Sequence, residues 1–508
     1  MTDEVDVLIV GAGLSGIGAA VHLHRDCPQH TFTLLERRQA IGGTWDIFRY
    51  PGIRSDSDMH TLGYSFKPWR NPKAIADGPS IREYVCEAAN EYQVNEHIRF
   101  GHKVVSADWD SSTSRWTVRA EQADGSSVEL RANFLLMCAG YYSYDRGHMP
   151  AFRGREAFDG PVICPQFWPE DLDYKGKKVV VIGSGATAMT LVPSMARDGA
   201  EVVMLQRSPT YVVSRPSRDL IANTLRKLLP EKWAYAVTRF KNTRFQQWFY
   251  RRSRTAPDKV RERLLGWVRD ELGPDYDVEK HFTPSYNPWD QRLCLVPDSD
   301  LFEVLRDGSA RIVTDHIASL NERGILLESG EQLDADIIVS ATGLELVVMG
   351  ESEFSIDGEP VDFSGKWTYK GLMASDVPNM VTTFGYINAS WTLRADLTAE
   401  WVCRVLNHMR ATGTTQVTPR VPADLADMPA RPWIDDFSPG YMERVMDQFP
   451  RQGDRAPWLN PQNYGRDRAM FRKGELEDGA LRFTQAVADQ GQAPPEEPAD
   501  DPALKLSA

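Results

Sequence analysis

The sequence predicts an α/β protein of two similar domains, in which strands alternate with helices and the second domain is inserted into the first. Two glycine-rich turns lead to this prediction, because each follows a short apolar run typical of a buried strand and opens an apolar helical pattern. The two apolar runs cover residues 7–10 and 179–182. The small residues that define the turns are Gly11, Gly13 and Gly16 in the first, and Gly183, Gly185 and Ala188 in the second.

Each position of these turns has a physical role. The first glycine permits a tight strand-to-helix turn, and the second lets the backbone approach a pyrophosphate at the helix N-terminus. The third small residue lets the helix pack on the strand. The pattern therefore indicates two Rossmann-like dinucleotide-binding domains, and plain turns are the alternative interpretation.

The end of the next strand distinguishes the two sites. Residues 31–35 lead into Glu36, whose carboxylate can accept hydrogen bonds from an unphosphorylated ribose, so the first site is predicted to bind FAD. Residues 201–205 lead into Gln206, Arg207 and Ser208, which lack that acid and offer a guanidinium to a 2′-phosphate. The second site is therefore predicted to bind NADP, with Arg207 as a simple surface charge as the alternative.

The order of these features predicts the domain organisation. Apolar runs at 134–138 and 337–339 each end in small residues and are expected to close the two nucleotide-binding units. We therefore predict that the FAD domain comprises residues 1–145 and 336–488, and that the NADP domain comprises residues 146–335. The last residues, 489–508, are rich in proline and acids and are expected to form a disordered tail.

Composition limits the class of protein. The 508 residues are 42% hydrophobic and 25% charged, which is enough to bury more than one core. No apolar run is long enough to span a membrane and no leader precedes the first strand, so a cytoplasmic location is expected. The six scattered cysteines form no CxxC pair, which argues against a disulfide framework, a zinc site and a dithiol centre. A net charge of −13 argues against a nucleic-acid partner.

One segment, residues 214–270, reverses the overall charge, because basic residues greatly outnumber acids there and alternate with aromatic residues. Apolar residues recur at helical spacing, interrupted at Pro230 and Pro257, which predicts an insertion of two or three helices over about 214–275. The apolar residues with this spacing are Leu225, Leu228, Leu229, Leu264, Leu265 and Val268. Packing against the host domain is the main expectation, and contact with a membrane or a lipid-like substrate is the alternative.

Two longer signatures carry a family resemblance. Residues 43–56 match GxWxxxxYPGxxxD throughout, and residues 158–169 match FxGxxxHxxxWP at every defined position except Cys164, where the pattern has histidine. Together they resemble the signatures of Baeyer-Villiger monooxygenases, a class of flavoprotein monooxygenases. Residues 287–294 and 385–392 are similar to the subgroup that contains the ethionamide-activating monooxygenase, and the chain is identified as a member of that subgroup.

The resemblance implies a reaction. NADPH would reduce FAD, O2 would add at C4a, and the peroxyflavin would insert one oxygen atom into a ketone to give an ester or lactone. Thioethers are plausible second substrates, and the aromatic residues of 211–293 favour a bulky apolar molecule. The alternatives are an enzyme that oxygenates sulfur or nitrogen, an uncoupled NADPH oxidase, and a flavin-binding protein without catalysis. The oligomeric state and the physiological substrate stay open.

The resemblance also implies roles for individual residues. Arg292 aligns with the family's active-site arginine, whose charge would stabilise the peroxide and the developing oxyanion, with a structural ion pair as the alternative. Asp56 would position this arginine near the flavin, or could instead cap a helix. Trp45 and Asp46 would lie by the flavin, and Trp391 by the substrate, with packing in the core as the alternative for the two tryptophans. Thr187 and Ser208 complete the predicted cofactor contacts.

Cys164 is the one departure from the signatures. A thiol cannot carry the charge of an imidazolium or bridge two partners through two ring nitrogens. We therefore expect slower use of NADPH or greater release of H2O2 than in the family. A redox-sensitive thiol is the alternative interpretation of this residue, and an inert small residue is the one we favour.

Overall fold

The computed structural model describes residues 3–291, 293–425, 427–435 and 440–486. Each of its two largest sheets includes the strand that leads into one of the glycine turns. Arg292 and the tail predicted at 489–508 lie outside the described residues. The two sheets have strands and helices in alternation, in agreement with the predicted α/β class.

The first sheet has nine strands in the described part of the chain. Its parallel centre pairs Asp3–Val10 with Phe32–Glu36 on one side and with Ser127–Met137 on the other. Met380–Thr382 also pairs with Ser127–Met137, so residues far along the chain return to this sheet. In spatial order, the other strands lie at the two ends: Glu359–Pro360, Glu353–Ile356, Lys103–Asp110 and Arg115–Glu121 beyond Ser127–Met137, and Ile98–Phe100 beyond Phe32–Glu36.

The second sheet has five parallel strands among the described residues. Their order is Ala310–Thr314, Glu201–Gln206, Lys178–Ile182, Ile337–Ser340 and Val162–Ile163. Ile337–Ser340 pairs with Lys178–Ile182, so it belongs to this sheet and not to the first. The predicted domain boundary between residues 335 and 336 is therefore wrong, and the second unit extends through residue 340.

Smaller sheets and helices surround these two. The smaller sheets consist of Val212–Arg215 with Cys294–Pro297, Ile317–Asn321 with Gly324–Leu327 and Gln332–Asp334, Thr368–Tyr369 with Met373–Ala374, and Gln416–Pro419 with Leu481–Thr484. The helices are Leu14–Asp26, Thr44–Ile47, Met59–Leu62, Gly78–Glu91, Ala186–Arg197, Leu220–Leu228, Glu231–Thr255, Pro257–Leu272, Val278–Phe282, Asp300–Arg306, Trp391–Thr412, Gly440–Glu443 and Tyr464–Lys473. No helix of the described chain is both long and apolar enough to cross a membrane.

The inserted segment is helical, as the fold prediction states, with breaks at the two prolines. Pro230 precedes Glu231–Thr255, and Pro257 opens Pro257–Leu272, where a missing N–H is tolerated. Leu264, Leu265 and Val268 are buried as helical spacing predicts. Leu228 is 73% exposed and Leu229 is 37% exposed, so for these two the expected packing against the host domain is wrong.

The helices at the two turns reach the core differently. Leu14–Asp26 packs against Trp401, Val402 and Val405 of the long helix Trp391–Thr412 in one large apolar cluster. Ala186–Arg197 packs in a second cluster with Leu301 and Phe302. The two clusters keep each strand–turn–helix unit rigid, which fixes the position of both glycine turns.

Candidate nucleotide and substrate cavity

One cavity of about 960 Å³ lies between the two glycine turns and is lined by both. The predicted site residues that line it are Gly11, Gly13, Glu36, Trp45, Asp56, Gly183, Gly185, Thr187, Arg207, Ser208 and Trp391. Gly16, Asp46 and Ala188 are not among its lining residues. Two dinucleotide cradles that open into one space can hold two reacting rings against each other.

The first turn has the geometry of a close backbone approach. Gly11 has a φ of +102°, and a Cβ there would lie 2.6 Å from the carbonyl oxygen of Cys138. A Cβ at Gly16 would lie 1.9 Å from the carbonyl oxygen of Gly11, so the helix packs directly on the turn. Gly13 begins the helix Leu14–Asp26 without a side-chain cap, which leaves backbone N–H groups for an anion. These features fit a pyrophosphate.

Glu36 lies at the base of this cradle with only 3% of its surface exposed. Its Oε2 accepts the backbone N–H of Ala12 at 2.8 Å, and its Oε1 accepts that of Arg38 at 2.9 Å. Burial raises the pKa of Glu36, and these two hydrogen bonds partly offset that rise. Each oxygen keeps a further lone pair, so the fixed carboxylate can accept ribose hydroxyl groups.

The second turn repeats the backbone of the first in a more open setting. A Cβ at Gly183, where φ is +136°, would lie 2.3 Å from the carbonyl oxygen of Ala341. Gly185 begins the helix Ala186–Arg197 without a side-chain cap, and a Cβ there would meet no atom within 4 Å. Ala188 is fully buried and packs its helix on the sheet. The space beside Gly185 suits an incoming pyrophosphate.

The three polar residues at the end of the strand Glu201–Gln206 have different environments. Gln206 is buried and donates from Nε2 to the carbonyl of His281 at 2.8 Å and to Thr314 Oγ1 at 2.9 Å. Arg207 and Ser208 are exposed and line the cavity. The guanidinium of Arg207 thus lies where a phosphate on the adenosine ribose can be bound.

Asp46 is buried and does not line the cavity. Its carboxylate is 2% exposed and pairs with Arg38 at 2.7 Å, Arg82 at 3.0 Å and Arg49 at 3.4 Å. A buried carboxylate with three guanidinium partners stabilises the wall behind Trp45. The Asp46 carboxylate is therefore engaged by arginines, and its predicted contact with the cofactor stays a prediction.

The segment 50–54 joins the first unit to the second. The hydroxyl of Tyr50 hydrogen-bonds Thr187 in the second turn, and burial raises the pKa of Tyr50 to about 12. A Cβ at Gly52 would lie 2.8 Å from Ser194 Cβ, so the chain packs closely on the helix Ala186–Arg197. Arg54 pairs with Asp300 of the second unit, its Nη2 at 3.3 Å from Oδ1. This part of the signature thus holds the two cradles in register.

Asp56 lines the cavity, and the helix cap nearby belongs to another residue. The cap of Met59–Leu62 is Asp58, whose carboxylate accepts the backbone N–H of Thr61 at 3.1 Å. The alternative role of Asp56 as this cap is therefore wrong. Its predicted partner Arg292 lies outside the described residues, but Gln291 beside it lines the same cavity.

Trp391 lies where the cavity meets the first turn. Its Nε1 donates to Ser15 Oγ at 2.7 Å, and its ring stacks on Tyr141 with centroids 5.2 Å apart. The apolar wall around it consists of Leu62, Phe384, Ile387 and Ala389. Trp391 therefore contributes both to the flavin-side turn and to an apolar surface fit for a substrate.

Cys164 is half-buried behind the cavity and is not among its lining residues. Its Sγ packs so closely on Gly147 that a Cβ there would lie 2.4 Å away. Burial raises the pKa of the Cys164 thiol, which keeps it protonated and unreactive at neutral pH. This environment favours the inert interpretation over a redox-sensitive thiol.

Sequence reasoning missed two groups that line the cavity. His148 lies one residue from Gly147, and burial together with the charge of Arg444 lowers its pKa. Arg54 adds a second cation near the second turn. No motif marks His148, because a single histidine in a long loop carries no spacing signal, whereas Arg54 lay within the 43–56 signature at an undefined position.

Comparisons with known proteins agree with this geometry. Residues 4–257 match the family model described as "Flavin-binding monooxygenase-like". The FAD-containing monooxygenase EthA of Mycobacterium tuberculosis is 51% identical over 492 residues, which cover 97% of this chain and 100% of that protein. The chain belongs to the flavin-binding monooxygenase-like family. This membership confirms the predicted class of enzyme and the resemblance to the subgroup.

Other members and solved structures extend the comparison. The probable FAD-binding monooxygenase AlmA of Acinetobacter baylyi is 50% identical over 484 residues, or 95% of this chain and 97% of that protein. The structure of an oxidised steroid monooxygenase bound to NADP is similar at a TM-score of 0.75 and 23% sequence identity. The match covers 95% of the present chain and 100% of the steroid monooxygenase chain. An open crystal structure of cyclohexanone monooxygenase is similar at a TM-score of 0.72 and 20% sequence identity, and the match again covers 95% of the present chain and 100% of the other. These similarities confirm the predicted fold class.

Proposed function

We propose that this flavin-binding monooxygenase uses FAD and NADPH to insert one oxygen atom of O2 into bulky apolar ketones, and that it also oxidises thioethers. The observation that carries the proposal is that both glycine cradles open into one cavity with an apolar wall at Trp391. A nicotinamide held by the second cradle can then reach a flavin held by the first. The Baeyer-Villiger reaction is proposed from the complete GxWxxxxYPGxxxD signature.

FAD would be held by the first unit. Gly11 and Gly13 would receive its pyrophosphate, and Glu36 would accept the hydroxyl groups of its ribose. When bound, FAD supplies the redox centre that takes up hydride and activates O2. The chain's own contribution is to orient this group and to exclude water, through the packed wall at Trp45 and Trp391.

NADPH would be held by the second unit. Gly183, Gly185 and Thr187 would receive its pyrophosphate, and Arg207 with Ser208 would bind the 2′-phosphate. The contact between the hydroxyl groups of Tyr50 and Thr187 would keep this cradle aligned with the first. The exposed position of Arg207 would allow the reduced cofactor to enter and the oxidised cofactor to leave.

Two charged residues would act on the reacting atoms. Arg292 would provide the cation that stabilises negative charge developing on oxygen, and Asp56 would position it. Asp56 lines the cavity and Gln291 brings the chain to its wall next to Arg292. The apolar wall of Leu62, Phe384 and Ile387 would bind the ketone or thioether by burial of its surface.

The experiment that tests this function combines reduction and oxygen labelling. The purified yellow protein is mixed with NADPH without oxygen, then with ¹⁸O₂ and either a phenyl ketone or a thioether, while H2O2 is measured. We expect the flavin to bleach with NADPH and the ester or sulfoxide to carry one labelled oxygen atom. Stoichiometric H2O2 without labelled product would identify an NADPH oxidase, and failure of the flavin to bleach would identify a protein without catalysis.

The two substrates separate the remaining alternatives. Labelled sulfoxide without any ester would mean that the chain oxygenates sulfur and that the Baeyer-Villiger assignment is wrong. Labelled ester from the phenyl ketone supports the full proposal. Activity confined to small polar ketones would contradict the role given to the apolar wall.

A further inference from the structure

Exposed apolar side chains concentrate on one surface outside the cavity. Of the eleven large apolar side chains that are exposed in the described part of the chain, nine lie between residues 220 and 248. They are Leu220, Ile221, Leu228, Leu229, Trp233, Val237, Phe240, Phe245 and Trp248. Clusters of this kind on a folded protein mark interaction sites, because single exposed apolar residues are otherwise scattered.

The helix Glu231–Thr255 has the reverse of the usual polarity. Its outer side presents Trp233 at 68% exposure, Phe240 at 64% and Trp248 at 59%. Its inner side buries Ala234 and Tyr235 but is otherwise polar. There Arg239 Nη1 donates to the carbonyl of Gly63 at 2.7 Å, and Asn242 Nδ2 donates to Asp58 Oδ1 at 2.8 Å. A surface helix of a globular protein normally turns its apolar side to the core. Here polar bonds hold the helix on the protein, so its apolar side is free for another contact.

The same surface is strongly cationic. Residues 220–252 hold eight lysine and arginine side chains and one carboxylate, Glu231, in a chain whose net charge is −13. Five of the cations are exposed, and none of them pairs with a carboxylate of the described residues. These five are Lys227, Lys232, Arg244, Arg251 and Arg252. We call residues 220–252 the basic aromatic face.

A groove beside Phe240 adds to this charge. Its volume is about 920 Å³, and its lining includes Arg25, Lys232, Arg244 and Arg468. The three carboxylates of the lining, Glu91, Glu231 and Asp396, pair with Lys67, Arg70 and Arg239 and so do not cancel these four cations. Anionic groups of phosphate size can be bound there next to an exposed aromatic ring. Apolar and cationic groups therefore meet at one surface over the length of the helix, which is roughly 37 Å for 25 residues.

We propose that the basic aromatic face docks this protein onto the surface of a membrane that contains anionic lipids. Tryptophan and phenylalanine side chains enter the headgroup region of bilayers, and lysine and arginine bind the lipid phosphates. The helix Glu231–Thr255 lies in the plane of the surface, with Trp233, Phe240 and Trp248 towards the lipid. A bilayer supplies the apolar and the anionic partner at once, which the mixed character of this face requires.

Flotation of the full-length flavin-containing protein with vesicles tests the proposal and does not depend on turnover. One set of vesicles holds two parts phosphatidylcholine to one part phosphatidylglycerol, and the other holds phosphatidylcholine alone. We expect the protein to float with the anionic vesicles at low salt and to be released at about 0.5 M salt, where charges are screened beyond about 4 Å. Failure to bind anionic vesicles at low salt overturns the proposal.

Matched variants localise the contact. Lys227→Glu with Lys232→Glu is expected to weaken vesicle binding at least about tenfold, since each lysine near the surface contributes about 1 kcal/mol. Lys175→Glu with Lys177→Glu makes the same change of charge at exposed lysines outside the face and is expected to leave binding within about twofold of wild type. Equal weakening by both pairs would mean that only net charge matters, and would overturn the assignment.

A second double variant tests the contribution of the exposed aromatic rings to vesicle binding. Trp233→Ser with Trp248→Ser removes two exposed rings and is expected to weaken vesicle binding about tenfold, while flavin content and melting temperature stay unchanged. Sedimentation without lipid tests the competing occupant, a second copy of the chain. A dimer that these two substitutions dissociate, together with no loss of vesicle binding, would show that the face joins copies and would overturn the proposal.

Discussion

The two glycine turns have the same backbone geometry, but the first is enclosed and the second is open. At the first turn the chain folds back, so that Gly42 donates its N–H to the carbonyl of Ala12 at 3.2 Å and a Cβ at Gly13 would lie 3.4 Å from Gly43. At the second turn a Cβ on Gly185 would meet nothing within 4 Å. The same motif can therefore build a retained site or an exchanging one, depending on what covers it. We expect the first to hold its dinucleotide through many reaction cycles and the second to release it in each.

The largest effect is expected from substitutions that add one methyl group to either glycine turn, since the two turns should respond differently. Gly11→Ala places a Cβ 2.6 Å from a backbone oxygen at φ +102°, so we expect flavin content to fall at least about tenfold. Gly185→Ala has room for its Cβ, so flavin should be retained, while the KM for NADPH rises about tenfold because the methyl group occupies the approach of the pyrophosphate. Flavin absorbance per protein and NADPH kinetics measure both. Loss of flavin in Gly185→Ala with retention in Gly11→Ala would reverse the assignment of the two sites.

The next effect concerns the helices that follow the turns. His22 on Leu14–Asp26 lies 3.3 Å from Asp396 Oδ1 and 3.4 Å from Asp26 Oδ2. Burial lowers the pKa of His22, but the hydrogen bonds to the two carboxylates outweigh it and raise the pKa to about 9. Because the folded-state pKa exceeds the unfolded value, the stabilisation is complete below about pH 6.5 and is lost as the pH rises through about 9. Its upper limit is on the order of 3 kcal/mol.

Melting temperatures measured from pH 6 to 10 test whether the stabilisation by His22 is lost as the pH rises. The difference between wild type and His22→Gln should shrink between about pH 6.5 and 9.5. His281 in the second unit is the control, because burial lowers its pKa. Its contribution to the free energy of unfolding is therefore lost as the pH falls, which is opposite in sign to that of His22. A His22→Gln difference that stays constant across this range would contradict the charged pair.

A smaller effect is expected on the preference for NADPH over NADH, which the second ribose site is proposed to set through Arg207. Arg207→Gln should lower kcat/KM for NADPH about tenfold, because a hydrogen bond to a charged group at this exposed position is worth about 1.5 kcal/mol, while kcat/KM for NADH stays the same. Arg197→Gln removes an exposed arginine that pairs with Glu303 at 2.6 Å away from the cavity, and should change neither. Equal losses for both nucleotides would mean that Arg207 does not bind the 2′-phosphate.

The smallest effect is expected at the departure from the signatures. Cys164→Ser should change NADPH oxidation and H2O2 yield by less than about twofold, because the thiol is half-buried, protonated and outside the cavity lining. Steady-state assays with and without substrate measure both rates. A large rise in H2O2 would show that the sulfur atom itself protects the oxygenation step.

The sequence allowed the strand–turn–helix units to be predicted because their signals are local. Two buried strands, each followed by small residues at fixed spacing, place Gly11, Glu36, Gly183 and Arg207 without reference to distant contacts. The capping residue of the helix Met59–Leu62 is harder to predict, because the four consecutive residues 55–58 all have capping side chains and the register of the helix decides among them.

The remaining features depend on contacts that the sequence does not specify. Asp46 is surrounded by arginines from separate segments, so its role follows only from the folded chain. Ile337–Ser340 joins the second sheet through a partner far away in the sequence. Helical spacing at Leu225, Leu228 and Leu229 gives the period of a helix but not which side meets the protein, and Leu228 turns outward.

The return of Met380–Thr382 to the first sheet sets an order of events during protein synthesis. Its partner residues 135–137 emerge long before it, and the whole second sheet, which ends at Ser340, is completed in between. At ribosomal rates of about 5–20 residues per second, the edge at 135–137 waits roughly 12–50 s for its last strand. The nascent chain therefore completes the inserted sheet before the first sheet, whose early strands depend on a strand that is synthesised after the whole insertion.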